Sequence, residues 1–175
     1  LKDDFFAICK ACSAIGVEYV VVPLVDAGAF ESVTQEDEFV EFCNSNISFF
    51  EKLNIKVIFE SDYSPAELAR FIQRLPQETF GINYDIGNSA ALGYDPKEEF
   101  AAYGKRILNV HVKDRALGGT TVALGSGDAD FETVFAELKK IKYQGNYILQ
   151  TARAADQDHA GAISRYRDML LTWAA

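Results

Sequence analysis

The chain has 175 residues, 49% of them hydrophobic and 25% charged, a balance typical of a globular domain with one sizeable core. Its net charge of −9 argues against a general nucleic-acid-binding protein, because phosphate backbones attract basic surfaces. No apolar run approaches the roughly 20 residues that a transmembrane helix needs, so we expect no membrane partner either. Three cysteines are an odd number for a disulfide framework, which favours a reducing, cytoplasmic location.

Strand-like and amphipathic segments alternate along the whole chain. Strands are predicted at residues 17–25, 55–60, 80–85, 106–112 and 146–151, and helices at 2–15, 35–53, 65–75, 96–103, 131–141 and 159–173. This alternation predicts a parallel sheet, because parallel strands need crossovers of about this length. No G-x-G-x-x-G motif joins a strand to a helix, so a barrel is favoured over a doubly wound dinucleotide-binding sheet.

The first predicted helix contains a C-x-x-C pair, Cys9 and Cys12. The sequence has no second cysteine pair that would complete a zinc site, and no strand precedes the motif as in thioredoxin-like proteins. Residues three apart share one face of a helix. We therefore interpret both cysteines as packing residues.

Four neighbouring strands are predicted to end in polar side chains: Glu60, Asp85, His111 and Gln150. In a barrel, the carboxyl ends of the strands carry the active site. A single residue of this kind at a strand end is more often a cap or a hydrogen-bond partner. Four of them on one face at one end predict a site for one divalent ion, such as Mn²⁺, Mg²⁺, Co²⁺ or Zn²⁺.

The strand that carries His111 is followed by a glycine-rich loop at residues 117–127. Backbone amides of such loops can hold phosphate in barrels, but a mobile surface loop has the same composition. Both interpretations stay open at this point. Asp130, just after the loop, is predicted to cap the next helix.

Three motifs carry a family resemblance: D-I-G-N at residues 85–88, H-V-K-D at 111–114 and L-G-S-G-D-A-D-F at 124–131. In this order they resemble the xylose isomerase-like TIM barrels. The D-I-G-N form, followed by G-Y-D at 93–95, is most similar to pentulose-5-phosphate 3-epimerases and hexulose-6-phosphate isomerases. The resemblance implies the α/β class and the C-terminal portion of a (β/α)8 barrel, about five βα units. Residues 1–175 would form a single domain without the N-terminal strands.

The resemblance also implies an activity: isomerisation or epimerisation of a ketose or ketose phosphate through an enediolate stabilised by a divalent metal. Carried onto this sequence, Glu60 is a metal ligand and the candidate catalytic base, and Asp85 and His111 are ligands. The substrate-binding residues that follow are Asn88, Lys113, Arg115 and Arg153. A small sugar or sugar phosphate is then the expected partner, with self-association left open.

Gln150 departs from the family pattern, in which the last strand ends in a glutamate. An amide oxygen can coordinate a metal, but it cannot take up or release a proton at neutral pH. One alternative is therefore one-base chemistry through Glu60. Another is a metal- and sugar-phosphate-binding barrel with altered or lost turnover. A hydrolase resembling abasic-site endonucleases is disfavoured, because the sequence contains only two histidines and is acidic.

Overall fold

Five strands form one parallel sheet, in which the spatial order of the strands equals their order in the chain. The computed structural model describes residues 2–175. The strands are β1 (Tyr19–Leu24), β2 (Lys56–Ser61), β3 (Phe80–Asp85), β4 (Ile107–Val112) and β5 (Asn146–Leu149). All five lie within the predicted segments or differ from them by one residue at an end, and β1 and β5 form the two edges of the sheet.

Eight α-helices accompany the sheet within these described residues. They are α1 (Lys2–Ala14), α2 (Val33–Ser45), α3 (Ile47–Lys52), α4 (Pro65–Gln73), α5 (Ile86–Leu92), α6 (Pro96–Tyr103), α7 (Phe131–Lys140) and α8 (His159–Ala174). Three of these helices, α2, α3 and α5, differ from the prediction. The helix predicted at 35–53 is divided at Asn46, and α5 was predicted as no element at all. Across residues 2–175, no helix is both long and apolar enough to cross a membrane.

The core lies between the sheet and the helices, and phenylalanine dominates it. Phe50, Phe59 and Phe80 are fully buried, and the rings of Phe59 and Phe80 stack at 6.1 Å between centroids. Cys9 is also fully buried within this core, and Cys12 packs against it. The interpretation of the C-x-x-C pair as helix packing is therefore confirmed.

A buried ion-pair network joins α2 to α4. The Glu36 carboxylate, only 1% exposed, accepts hydrogen bonds from Arg70 at 2.7 and 2.8 Å, from Arg74 at 2.7 Å and from the Tyr63 hydroxyl at 2.6 Å. Burial alone would raise the pKa of Glu36, but the hydrogen bonds from Arg70 and Tyr63 lower it. The network thus stabilises the charged form of Glu36.

The register of β3 and β4 aligns the polar ends of the two strands. Asp85 pairs with His111, and the register shifts by one residue between Ile82 and Asn83. Strict alternation along β4 would turn Leu108 to the same side of the sheet as Val110. Instead the Leu108 side chain lies over Gly81, where a Cβ would come within 2.5 Å of it, because the shift turns Leu108 towards the face that carries Asn83.

Candidate active site

Three side chains from neighbouring strands meet at the carboxyl end of the sheet. Glu60 belongs to β2, Asp85 ends β3 and His111 lies near the end of β4. Their potential ligand atoms lie within 4.8 Å of one another. His111 Nδ1 is 3.2 Å from Glu60 Oε2 and 3.6 Å from Asp85 Oδ2. Two carboxylate oxygens and one imidazole nitrogen at this spacing are a donor set that fits one divalent ion.

Carboxamide side chains hold Glu60 in place. Asn83 Nδ2 donates to Glu60 Oε2 at 2.8 Å, and Asn88 Nδ2 donates to Glu60 Oε1 at 2.9 Å. Asn109 Nδ2 donates in turn to Asn83 Oδ1 at 2.6 Å, and both residues are almost fully buried. Such partners orient a ligand and restrict its motion.

Asn83 and Asn109 are not among the site residues predicted from the sequence. The period-two pattern offers the signal that was missed. Asn83 precedes Asp85 by two residues, and Asn109 precedes His111 by two. On a strand, residues at this spacing share a face, so the asparagines lie directly below the candidate ligands.

Asp85 is both a helix cap and a candidate metal ligand. Its Oδ1 accepts the backbone N–H of Asn88 at 2.8 Å and so caps α5, while Oδ2 faces His111 and Lys113. Gly87 lies against Lys113, the residue that follows β4, and leaves no room for a side chain. A Cβ at this position would lie 2.7 Å from Lys113 Cγ and 3.1 Å from the Lys113 carbonyl carbon.

Two cations adjoin the three candidate ligands. Lys113 Nζ and Arg115 Nη1 each donate to Asn88 Oδ1 at 2.9 Å, and Lys113 Nζ also lies 3.3 Å from Asp85 Oδ2. Both positive charges therefore converge on a neutral amide oxygen. The structure thus brings the predicted residues Asn88, Lys113 and Arg115 together beside Glu60.

The carboxylates also determine the charge of His111. Burial alone would lower the pKa of His111, but hydrogen bonds to Asp85 and Glu60 and the attraction of their charges raise it to about 9. Without a metal ion, the imidazole therefore carries a proton between the two carboxylates at neutral pH.

The other two predicted site residues lie in or near the segment that follows β5. Ile148 pairs with His111, so Gln150 lies two residues beyond the level of the imidazole. The Gln150 backbone N–H donates to Val112 O at 3.1 Å, and its side chain is exposed. Arg153 is exposed as well, and within residues 2–175 no hydrogen bond or ion pair joins it to Glu60, Asp85 or His111. The functional roles of all the predicted site residues, Gln150 and Arg153 included, stay predictions.

Parallel βα units with polar side chains at the carboxyl ends of their strands are the arrangement of a (β/α) barrel. A family model described as xylose isomerase-like TIM barrel matches residues 2–169. The chain belongs to this family. The predicted α/β class and the predicted family resemblance are both confirmed.

Curated relatives are sugar-phosphate epimerases. An L-ribulose-5-phosphate 3-epimerase UlaE of Salmonella paratyphi C is 36% identical over 90 residues, which is 51% of this chain and 32% of the relative. A protein named putative L-ribulose-5-phosphate 3-epimerase UlaE, of Shigella dysenteriae serotype 1, matches with the same identity and coverage. The match thus spans about a third of the length of these relatives.

Solved structures share the fold over almost the whole chain. A xylose isomerase domain protein from Planctomyces limnophilus superposes with a TM-score of 0.83 at 20% identity, covering 98% of this chain and 64% of that one. The IolI protein, solved with a zinc atom bound, gives 0.81 at 19% identity, with coverages of 98% and 68%. An L-ribulose 3-epimerase gives 0.78 at 14% identity, with coverages of 97% and 66%. This chain therefore covers about two thirds of the length of each of these structures.

Proposed function

We propose that the protein is a metal-dependent isomerase or epimerase that acts on a ketose or a ketose phosphate. The observation that carries the proposal is the convergence of Glu60, Asp85 and His111, whose ligand atoms lie within 4.8 Å of one another. Glu60, Asp85 and His111 would hold the ion, and the Gln150 amide oxygen would complete the set. A bound divalent ion would supply Lewis-acid stabilisation of the negative charge that develops on the substrate oxygens.

In this proposal Glu60 acts as the base. Its carboxylate would take the proton from the carbon next to the ketose carbonyl, leaving the electron pair to form the enediolate. Hydrogen bonds from Asn83 and Asn88 hold the two carboxylate oxygens in a fixed direction, as proton transfer to a defined carbon requires. The same Glu60 could return the proton to either carbon from the face on which it was removed.

Lys113 and Arg115 favour an anionic substrate. Lys113 pairs with Asp85, but both cations also donate to the neutral Asn88 Oδ1, so Asp85 offsets only one of the two positive charges. An anionic group could replace this amide oxygen as their acceptor and gain charge-assisted hydrogen bonds. The curated relatives named for L-ribulose 5-phosphate point to the same substrate class. We therefore place phosphorylated ketoses ahead of free sugars, with Arg153 as a further candidate contact.

The alternative proposal is a metal- and sugar-phosphate-binding barrel with altered or lost turnover. Gln150 favours it, because an amide cannot act as a general acid or base at neutral pH and epimerisation through two carboxylates needs a second carboxylate. Under this alternative, Glu60, Asp85 and His111 would still bind a metal, and the cations would still bind an anion. The two proposals therefore differ only in proton transfer.

Solvent exchange separates the two proposals. The intact protein, loaded with Mn²⁺, would be incubated with L-ribulose 5-phosphate in deuterated water, and deuterium at the carbon next to the carbonyl measured by NMR. We expect exchange in the wild type and a loss of about 100- to 10,000-fold in Glu60→Gln. Glu51→Gln, at an exposed position on α3, is the matched control and should exchange normally.

A Gln150→Glu variant tests the position that departs from the family. If the second carboxylate is what the protein lacks, this variant should gain epimerisation while the wild type shows exchange or isomerisation alone. Metal binding without exchange in either protein would support the non-enzymatic alternative. No metal binding in the wild type would refute both proposals.

A further inference from the structure

In the glycine-rich loop between β4 and α7, backbone N–H groups bind the side-chain carboxylate of Asp114. The backbone N–H groups of Gly125 and Gly127 donate to Asp114 Oδ2 at 2.9 and 2.8 Å, and that of Ala129 donates to Asp114 Oδ1 at 3.2 Å. Asp114 is only 1% exposed. These amides are therefore already used, and a substrate phosphate could not take them without displacing a buried carboxylate.

The remaining glycine amides of the loop have internal acceptors as well. Gly118 N–H donates to Ala91 O and Gly119 N–H to Ala116 O, each at 2.8 Å. Of the two interpretations left open by the sequence, the geometry thus opposes a phosphate site made of these glycine amides. It also opposes a mobile loop, because the backbone is tied to Asp114 at three points.

The loop closes tightly on the chain segment that carries the two cations. A Cβ on Gly127 would lie 2.3 Å from Asp114 Oδ1 and 2.7 Å from the Arg115 carbonyl oxygen. The Asp128 N–H donates to that same carbonyl at 3.0 Å. The backbone at Asp114 and Arg115 is therefore fixed from the loop side.

Lys113 and Arg115 flank Asp114, and both reach Asn88 in the candidate active site. Arg115 Nε and Nη2 donate to Gly119 O at 3.1 and 2.6 Å, which leaves Nη1 directed at Asn88. Three N–H dipoles compensate the negative charge of Asp114 within the loop. Asp114 can therefore hold the segment without pairing with either cation.

We propose that Asp114 is a positioning residue that, through the loop it binds, aims Arg115 and Lys113 at the anionic group of the substrate. The proposal rests on the anionic substrate class proposed above. In this proposal the glycines of the loop act indirectly. They hold in place the segment that carries Lys113 and Arg115, and these two side chains bind the anion.

The test compares Asp114→Asn with Asp128→Asn in the intact protein. Asp128 lies in the same loop and allows the same substitution, but it is exposed, and within residues 2–175 its carboxylate accepts one hydrogen bond, from Leu117 N–H at 2.7 Å. Calorimetry would measure the affinities for inorganic phosphate, L-ribulose 5-phosphate and Mn²⁺. We expect Asp114→Asn to weaken binding of both phosphates about tenfold or more, with Mn²⁺ affinity within twofold. Asp128→Asn should change none of the three.

A double-mutant cycle distinguishes positioning from general destabilisation. If Asp114 acts in part through Arg115, Asp114→Asn should weaken phosphate binding less in the Arg115→Met variant than in the wild type. Equal losses of phosphate and Mn²⁺ affinity, or effects that add in the double variant, would overturn the proposal. Should Asp114→Asn fail to fold, Gly127→Ala perturbs the same contact with the charge kept, and unchanged phosphate affinity in that variant would overturn it too.

The failure of this proposal can be told apart from the failure of the proposed function. A wild type that binds no phosphate would overturn the role of Asp114, yet deuterium exchange into a free ketose would still support isomerase chemistry. Conversely, phosphate binding that depends on Asp114 in a protein without exchange would support the positioning role and refute the catalytic proposal.

Discussion

Metal binding should release one proton from His111. In the metal-free protein the pKa of His111 is about 9, because hydrogen bonds to Asp85 and Glu60 outweigh the effect of burial. At pH 7 the imidazole is therefore almost fully protonated. A divalent ion needs the nitrogen lone pair that this proton occupies, so ion and proton compete for the site. Relative to high pH, the competition should weaken metal binding about 100-fold at pH 7, or about 2.7 kcal/mol.

Calorimetry in buffers of different ionisation enthalpy measures the released protons directly. With Mn²⁺ as the probe, we expect about one proton per ion at pH 7, and the logarithm of the association constant should rise by about one for each pH unit between 6 and 8. His159→Ala, which removes the other histidine, should leave the release unchanged. His111→Ala should abolish it together with most of the affinity.

A different number of released protons would refute the reasoning. A histidine with an ordinary pKa of about 6.5 would release only about a quarter of a proton at pH 7, and its affinity would level off above that pH. An NMR titration of His111 in the metal-free protein gives an independent value, with a midpoint near 9 expected. The raised pKa of His111 also makes the stability of the metal-free protein depend on pH. The metal-free protein should gain stability from His111 below pH 6.5 and lose it as the pH rises through 9.

Three further predictions concern residues around the site and in the core. Asn83→Ala should weaken Mn²⁺ binding about 10- to 100-fold, because Glu60 loses its Oε2 donor; unchanged affinity in a calorimetric titration would contradict this. Gly87→Ala should displace Lys113, whose Cγ would lie 2.7 Å from the new Cβ, and so raise KM for a ketose phosphate more than for a free ketose in parallel assays. The lowered pKa of Glu36 should stabilise the fold above about pH 4.3 and cease to do so as the pH falls through the folded-state pKa. Urea denaturation should therefore show a smaller difference between the wild type and Glu36→Gln at pH 3 than at pH 7.

The sequence predicted the sheet well because its strands have strong local patterns. The strands are short apolar runs between helix caps and glycines. Alternation of polar side chains on β2, β3 and β4 places Glu60, Asp85 and His111 at the same end of the sheet. The carboxyl ends of neighbouring parallel strands meet in space, so the grouping of these three residues followed from the order of the elements alone.

The missed features depend on contacts that no local pattern encodes. Helix α5 is short and contains Gly87 and Asn88, both poor helix formers, and it begins because Asp85 caps it. The direction of Leu108 changes through a single-residue shift in register, which only the pairing with β3 produces. The use of the loop amides by Asp114 likewise depends on where the loop returns, several residues after it leaves β4.

Asn88 connects the two halves of the proposed site. Its Oδ1 accepts hydrogen bonds from Lys113 and Arg115, while its Nδ2 donates to Glu60 Oε1. One planar amide thus touches the cations proposed to bind the anion and the carboxylate proposed to act as the base. If a bound anion drew the two cations away from Asn88 Oδ1, the amide would be free to rotate. Glu60 would then lose the hydrogen bond from Asn88 Nδ2, one of the two that hold it. A neutral amide at residue 88 can serve both partners, whereas a carboxylate would bind the cations tightly and repel Glu60. The D-I-G-N motif therefore matters for its last residue as much as for the aspartate that begins it.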